Sequence, residues 1–146
     1  MSEQILEPGR VRLGGHASNR DGAIREVGQL LVSSGAVSEA YVEAMFAREA
    51  TVSTYMGNLL AIPHGTDEAK DEIRRSALAI VRYDEPLDWG GQPVRFVIGI
   101  AGRGGEHIGI LSAIAIAFSD EDQVQELLGA STPEQLIDLL GEVNGA

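Results

Sequence analysis

The 146-residue chain contains no cysteine. It therefore has no disulfide, no thiolate nucleophile and no cysteine-based metal site, a composition typical of a reducing compartment. Basic residues are also scarce, 11 against 22 acidic ones, which gives a net charge of −11. Because such a surface repels the phosphates of nucleic acids, the charge argues against nucleic-acid binding and favours a basic protein partner or simple solubility.

Long apolar runs are missing as well. The sequence has no stretch of about 18 apolar residues that would span a bilayer, and its first residues lack the basic region and apolar core of a secretory signal. We expect a cytoplasmic protein that is not embedded in a membrane. The hydrophobic content of 44% is enough to bury a core, and the length predicts that residues 1–146 form a single domain.

Three apolar runs of strand length indicate a buried sheet. They cover residues 59–62, 76–83 and 94–101, and near-continuous apolar runs are typical of strands that are covered on both faces. Residues 84–93 contain two prolines and Gly90-Gly91, so we expect a turn between the last two strands.

Helical periodicity occurs between these strands and on both sides of them. Two helices, one beginning near residue 20 and one at Ser38, predict an αα-hairpin. The Ser, Thr, Tyr and Gly residues between the second helix and the run 59–62 predict a loop. A short helix is predicted at residues 66–73, and two amphipathic helices end the chain. The run 108–118 is apolar nearly all round, so we expect that helix to be central and buried. This order of elements predicts an α/β fold, a three-layer sandwich whose mixed, mostly parallel sheet carries helices on both faces.

Two histidines directly follow predicted strands. His64 follows the run 59–62 after Pro63, which cannot donate to a strand ladder and should end the strand. His107 follows the run 94–101 after a glycine-rich loop. Since sites in α/β folds form beyond the strand ends, where adjacent parallel strands bring distant loops together, we expect one crevice to hold both histidines.

The glycine-rich loop, residues 102–105, does not match a nucleotide fingerprint. His107 stands where G-x-G-x-x-G requires its third glycine, and Gly105-Glu106 stands where a P-loop requires Lys and Ser or Thr. We expect no nucleotide cofactor. The third histidine, His16, is flanked by small and polar residues and is expected to lie exposed in a loop.

Two histidines in one crevice are compatible with three chemistries. A metal site would need more ligands, and the chain has neither cysteine nor an H-x-x-x-H or H-E-x-x-H spacing. General acid–base catalysis would call for more convergent polar groups. Covalent phosphoryl transfer needs an exposed neutral imidazole and donors for the phosphoryl oxygens, with no nucleotide when the donor is a phosphoprotein.

The third chemistry suits the residues around the histidines. His64 is predicted at the rim of the sheet, and His107 is predicted in the first turn of a helix, where anions bind readily. Arg48 is near in sequence, although its place in the last turn of a helix is also explained by the helix dipole.

An ordered set of motifs carries a family resemblance over nearly the whole chain. The chain resembles the enzyme IIA components of the mannitol/fructose class of the bacterial phosphoenolpyruvate:sugar phosphotransferase system, and it looks most like the mannitol branch. Any one motif would be weak, whereas their order is specific. The motifs are Arg48-Glu49, Thr54-Tyr55-Met56-Gly57, Ala61-Ile62-Pro63-His64-Gly65-Thr66, Glu68-Ala69-Lys70-Asp71, Val97-Ile98-Gly99-Ile100-Ala101 and Glu106-His107-Ile108.

The resemblance implies a role for each main site residue. His64 matches the histidine that takes a phosphoryl group from the phosphocarrier protein HPr and passes it to a cysteine of the IIB component. His107 matches the second active-site histidine, which contacts the phosphoryl group without carrying it. Arg48 matches an active-site arginine that neutralises phosphate charge.

Further phosphate contacts are expected near these residues. On physical grounds we add the hydroxyls of Ser53 and Thr54 as donors, and Gly65 as a third phosphate-binding residue. The implied activity is that of a phosphoryl carrier for uptake of mannitol or a related polyol, with HPr and the IIB component of a IIBC permease as partners and no metal or other cofactor. The same fold and histidine also resemble the nitrogen-type IIA regulators, which act by binding other proteins.

Overall fold

The computed structural model describes residues 6–102 and 106–140, and for residues 67, 70 and 106–108 it describes the backbone alone. Two short 3-10 helices, Pro8–Arg10 and Asp67–Glu72, accompany the main elements. In chain order the strands and longer helices are β1 (Val11–Leu13), α1 (Arg20–Ser33), α2 (Glu39–Thr51), β2 (Tyr55–Gly57), β3 (Leu60–Ala61), β4 (Ala77–Trp89), β5 (Gln92–Ala101), α3 (Glu106–Ala117), α4 (Glu121–Leu128) and α5 (Pro133–Leu140).

The five strands form one sheet in the order β1-β4-β5-β3-β2. β1 runs parallel to β4 and β3 runs parallel to β5, whereas β4 with β5 and β2 with β3 are antiparallel pairs. The predicted mixed sheet is confirmed. Its mostly parallel character is confirmed only in part, because half of the pairings are antiparallel.

The sheet separates two hydrophobic clusters. Along β4, Ala77, Ala79 and Val81 belong to the cluster that includes α1 and α2, while Leu78 and Ile80 belong to the cluster that includes α3, α4 and α5. This alternation follows from the two-residue period of a strand. The predicted three-layer sandwich is confirmed.

One face of the sheet is built for close helix packing. The strand residues on the side of α1 include several alanines, and Gly99 of β5 lies so near α1 that an added Cβ would be 3.1 Å from a Val27 methyl. Larger side chains at these positions would push α1 away from the sheet.

The segment 84–93, which we predicted to be a turn, is mostly strand. β4 continues to Trp89 and β5 begins at Gln92, so that only Gly90 and Gly91 connect them, with φ of +63° and +95°. A two-residue hairpin requires such left-handed residues. The prolines indicated a turn because proline has no N–H for a strand ladder. The register between β4 and β5 is irregular around Pro86, however, and a missing N–H is tolerated there.

Two other expectations need correction. Tyr55–Gly57, predicted as part of a loop, forms the edge strand β2. α3 is not buried all round: Ile110 and Ile114 pack in the core, but Ile116 is 74% exposed, because the helix lies in an outer layer and only one side of it faces the sheet. Within the described residues, no helix has both the length and the apolar character to cross a membrane.

Candidate functional site

His64 lies three residues after β3 ends at Ala61, at the carboxyl end of two neighbouring parallel strands. The Pro63 carbonyl accepts a hydrogen bond from the Ile100 N–H at 3.0 Å, and His64 forms an isolated parallel bridge with Ile100. Since Pro63 has no N–H of its own, regular pairing ends here. The His64 side chain is half-buried, so a rigid strand end presents an accessible imidazole.

The backbone selects one tautomer of this imidazole. His64 Nδ1 lies 2.9 Å from the carbonyl oxygen of Ile62. A carbonyl oxygen only accepts hydrogen bonds, so Nδ1 carries the proton and donates. In the neutral ring the lone pair is therefore on Nε2, which is the nitrogen that can attack an electrophile.

The strand that precedes His107 in the chain lies beside the strand that precedes His64. β5 is the parallel neighbour of β3, and α3 begins at Glu106, five residues after β5 ends at Ala101. The expectation that one crevice holds both histidines stays a prediction. The His107 side chain and loop residues 103–105 lie outside the described part of the chain.

Arg48 is in the last turn of α2, and its side chain is half-buried. Its Nη1 donates to the carbonyl oxygen of Val52 at 2.7 Å, which satisfies a carbonyl at the helix end. This contact uses one of the five guanidinium N–H groups. Arg48 thus contacts the loop that connects α2 with β2, the loop that also contains Ser53.

The carboxylate of the buried residue Glu49 binds the same loop by hydrogen bonds from Thr54. Glu49 is 8% exposed, and its carboxylate accepts three hydrogen bonds, from the Thr54 N–H at 2.9 Å, the Thr54 hydroxyl at 2.5 Å and the Trp89 indole N–H at 3.0 Å. Several donors are what a buried carboxylate needs in order to be stable. In the sequence, Glu49 stands out only as part of the Arg48-Glu49 motif, so its position next to Arg48 is the one signal of this role.

The two hydroxyls predicted as phosphate donors differ in the structure. Thr54 is 4% exposed and gives its hydroxyl proton to Glu49. Ser53 is exposed, and its Oγ accepts from the Tyr55 N–H at 3.1 Å, which leaves the hydroxyl proton to donate elsewhere. By this geometry Ser53 is the hydroxyl that a ligand at the surface can reach.

Gly65 is tied to α2. Its N–H donates to the hydroxyl oxygen of Tyr41 at 2.9 Å, and that hydroxyl in turn donates to the Ile100 carbonyl at 2.7 Å. Tyr41 was absent from the predicted site, because its apolar neighbours in α2 mark it only as a core residue. In the part of the chain that is described, no three His, Asp or Glu side chains are grouped to hold a metal ion.

Comparison with known proteins agrees with this geometry. The family model described as the phosphoenolpyruvate-dependent sugar phosphotransferase system, EIIA 2, matches residues 4–143. The mannitol-specific phosphotransferase enzyme IIA component of Halalkalibacterium halodurans is 48% identical over 144 residues and 99% of each chain is covered. The crystal structure of the mannitol IIA from Escherichia coli has a TM-score of 0.85 at 35% identity, covering 93% of this chain and 99% of that one. A complex of mannitol enzyme IIA with phosphorylated mannitol enzyme IIB, also from Escherichia coli, matches with a TM-score of 0.85 at 34% identity, covering 92% and 97%.

Proposed function

The chain belongs to the EIIA 2 family of the phosphoenolpyruvate-dependent sugar phosphotransferase system, and on that premise we propose that His64 carries a phosphoryl group between two partner proteins. The donor is phosphorylated HPr, and the acceptor is a cysteine of a IIB component of a IIBC permease. The names of its relatives support mannitol, or a related polyol, as the sugar taken up. Residues 1–146 act as one cytoplasmic IIA domain.

The observation that carries the proposal is the hydrogen bond between His64 Nδ1 and the Ile62 carbonyl. It leaves the Nε2 lone pair available at a strand end for in-line attack on phosphorus. As the Nε2–P bond forms, the bond from phosphorus to the side chain of the donor protein breaks, and the His64 ring becomes positively charged. The Ile62 carbonyl then stabilises this charge by accepting from Nδ1.

The charge on the phosphoryl oxygens needs donors of its own. We assign this role to the guanidinium of Arg48, to the Ser53 hydroxyl and to His107, whose assignment rests on the family resemblance. Thr54 supports the loop through Glu49. In onward transfer the thiolate of the IIB cysteine attacks phosphorus: a bond between phosphorus and sulfur forms, the Nε2–P bond breaks, and the His64 ring returns to its neutral form with the proton on Nδ1. Because both donor and acceptor are protein side chains, no metal or nucleotide takes part.

A phosphoryl-uptake assay with a matched histidine control tests the proposal. Wild-type protein incubated with phosphorylated HPr should gain one acid-labile phosphoryl group, and His64→Ala should gain none. His16→Ala removes an exposed loop histidine and should behave as wild type. Uptake by His64→Ala at the wild-type rate would show that another residue carries the phosphate.

A second assay distinguishes the roles of the two histidines, and it distinguishes a phosphoryl carrier for sugar uptake from a regulator of the nitrogen type. His107→Ala should still accept phosphate on His64 but pass it on slowly; equal loss of uptake in both variants would refute this division of roles. Phosphorylated wild-type protein should transfer its phosphate to a mannitol IIB component. A stable phosphoprotein that transfers nothing to IIB would favour a regulator of the nitrogen type instead.

A further inference from the structure

A buried tyrosine hydroxyl joins the two strand ends that form the site. Tyr41 is 3% exposed, and its hydroxyl accepts from the Gly65 N–H at 2.9 Å and donates to the Ile100 carbonyl at 2.7 Å. Gly65 follows His64 directly, and Ile100 is the last residue but one of β5. One hydroxyl of α2 therefore contacts the backbone on both sides of the crevice.

This hydroxyl lies beside the last pairing between the chain of His64 and β5. In a parallel ladder, the N–H of Ile100 bonds to the carbonyl before its partner His64, and the next bond runs from the N–H after His64 back to the Ile100 carbonyl. The first bond is present, from Ile100 to Pro63 at 3.0 Å. The second pair of groups, Gly65 N–H and Ile100 C=O, is joined through the Tyr41 hydroxyl. The hydroxyl thus lies at the point where the chain of His64 leaves β5.

The aromatic ring is fitted to this position. A Cβ added at Gly65 would lie 2.5 Å from Cε1 of Tyr41, so only glycine lets the backbone approach the ring this closely. Burial raises the pKa of Tyr41, although the hydrogen bond from Gly65 acts in the opposite direction. The hydroxyl therefore stays protonated at neutral pH and keeps its donor contact with Ile100.

We propose that Tyr41 is a positioning residue for phosphoryl transfer at His64. This inference rests on the proposed function. By bridging Gly65 and Ile100, the hydroxyl sets the separation of the strand ends, and with it the direction of the His64 imidazole and the start of the segment that leads to His107. In-line transfer is sensitive to such placement, since a displacement of about 1 Å can cost about 100-fold in rate.

A purely structural role for the same hydroxyl makes a different prediction. Loss of the hydroxyl would leave the Gly65 N–H and the Ile100 carbonyl without this partner and lower stability. The folded molecules would nevertheless transfer phosphate at the normal rate. The two roles are distinguished by kinetics measured on fully folded protein.

The variant Tyr41→Phe removes the hydroxyl and keeps the ring. Tyr83→Phe is the matched control, because Tyr83 is also buried and its hydroxyl donates to Glu26 at 2.6 Å, a contact made with neither strand end at His64. The measurement is the initial rate of phosphate uptake over a range of phosphorylated HPr concentrations. Thermal unfolding of each variant establishes the folded fraction.

We expect Tyr41→Phe to lower the maximal rate by about tenfold or more, with the half-saturating HPr concentration unchanged, because a buried group cannot touch the donor protein. Tyr83→Phe should leave both parameters within about twofold of wild type. The imidazole ¹⁵N signals of His64 should shift in Tyr41→Phe and stay in place in Tyr83→Phe.

Other results would overturn the positioning role of Tyr41. A maximal rate equal to that of Tyr83→Phe, or a change in the half-saturating concentration alone, overturns the inference. If Tyr41→Phe does not fold, Gly65→Ala displaces the ring with the hydroxyl retained, and an unchanged rate in that variant overturns it. Wild-type protein that accepts no phosphate overturns the proposed function together with the inference, whereas normal uptake by both wild type and Tyr41→Phe overturns the inference alone.

Discussion

His64 Nδ1 lies 2.9 Å from the carbonyl oxygen of Ile62, which comes two residues earlier in the chain. The orienting group of this imidazole is thus its own backbone, held in place by the end of β3. A carbonyl oxygen does not titrate, so the preference for a proton on Nδ1 is independent of the protonation of any neighbouring carboxylate. The tautomer is built into the strand end.

We expect the phosphoryl group to be attached at Nε2 of His64. The Ile62 carbonyl accepts the hydrogen bond from protonated Nδ1, so only Nε2 offers a lone pair. ³¹P and ¹⁵N NMR of the phosphorylated protein distinguish the two isomers, with His64→Ala as the blank. A signal from the Nδ1 isomer would mean that the imidazole ring flips and loses its contact with the Ile62 carbonyl before transfer, contrary to this expectation.

Loss of the Glu49 carboxylate should destabilise the loop beside Arg48. Glu49→Ala leaves the Trp89 indole N–H and the Thr54 N–H without their acceptor, so we expect the free energy of unfolding to fall by about 2–4 kcal/mol. Urea denaturation measures this change. Glu43→Ala, at an exposed position of the same helix, should change it by less than about 0.5 kcal/mol. Equal effects of the two substitutions would contradict the importance of the buried network.

The stability of the protein should depend on the ionisation of Glu26. Partial burial by itself would raise the pKa of this carboxyl, but hydrogen bonds from Tyr83, the His16 N–H, Arg12 and the Ala17 N–H outweigh it and lower the pKa from 4.5 to about 2. The native state therefore favours the charged form. This contribution is fully present above pH 4.5 and is lost as the pH falls towards 2.

Glu26→Gln should flatten the stability profile in that acidic range. The shift corresponds to at most about 3 kcal/mol, and solvent screening reduces the expected loss at neutral pH to about 1–2 kcal/mol. Urea unfolding of wild type and variant between neutral and acidic pH measures both effects. Parallel profiles for the two proteins would show that Glu26 does not set the acid dependence.

Association with the phosphate donor should weaken as salt is added. The chain carries a net charge of −11, so a basic docking face on HPr would be attracted over a distance that ionic strength shortens. Stopped-flow association rates between low and physiological salt measure the effect, and the transfer step at saturating donor should change much less. An association rate that is flat over this range would show that charge does not steer the two proteins together.

The local sequence pattern was sufficient to predict the three layers of the fold and the position of His64 at a strand end. The apolar runs 76–83 and 94–101 are long enough to mark strands covered on both faces, and Pro63 marks the end of β3 because it has no N–H to donate. The two-residue link between β4 and β5 was obscured by prolines, whose effect depends on whether the partner strand requires their N–H. That requirement depends on pairing, which is not a local property.

The site divides in the same way. The order of residues along the chain determined that a histidine stands at a strand end, that a second follows another strand, and that Arg48 lies in the last turn of a helix, since each of these follows from short-range pattern and motif. Only the tertiary structure decided which groups support these site residues. The Tyr41 hydroxyl bridges Gly65 and Ile100, and the Glu49 carboxylate accepts hydrogen bonds from Thr54 and Trp89. These contacts join residues up to 59 positions apart, and a hydrogen bond over such a separation exists only after packing has brought its two partners together.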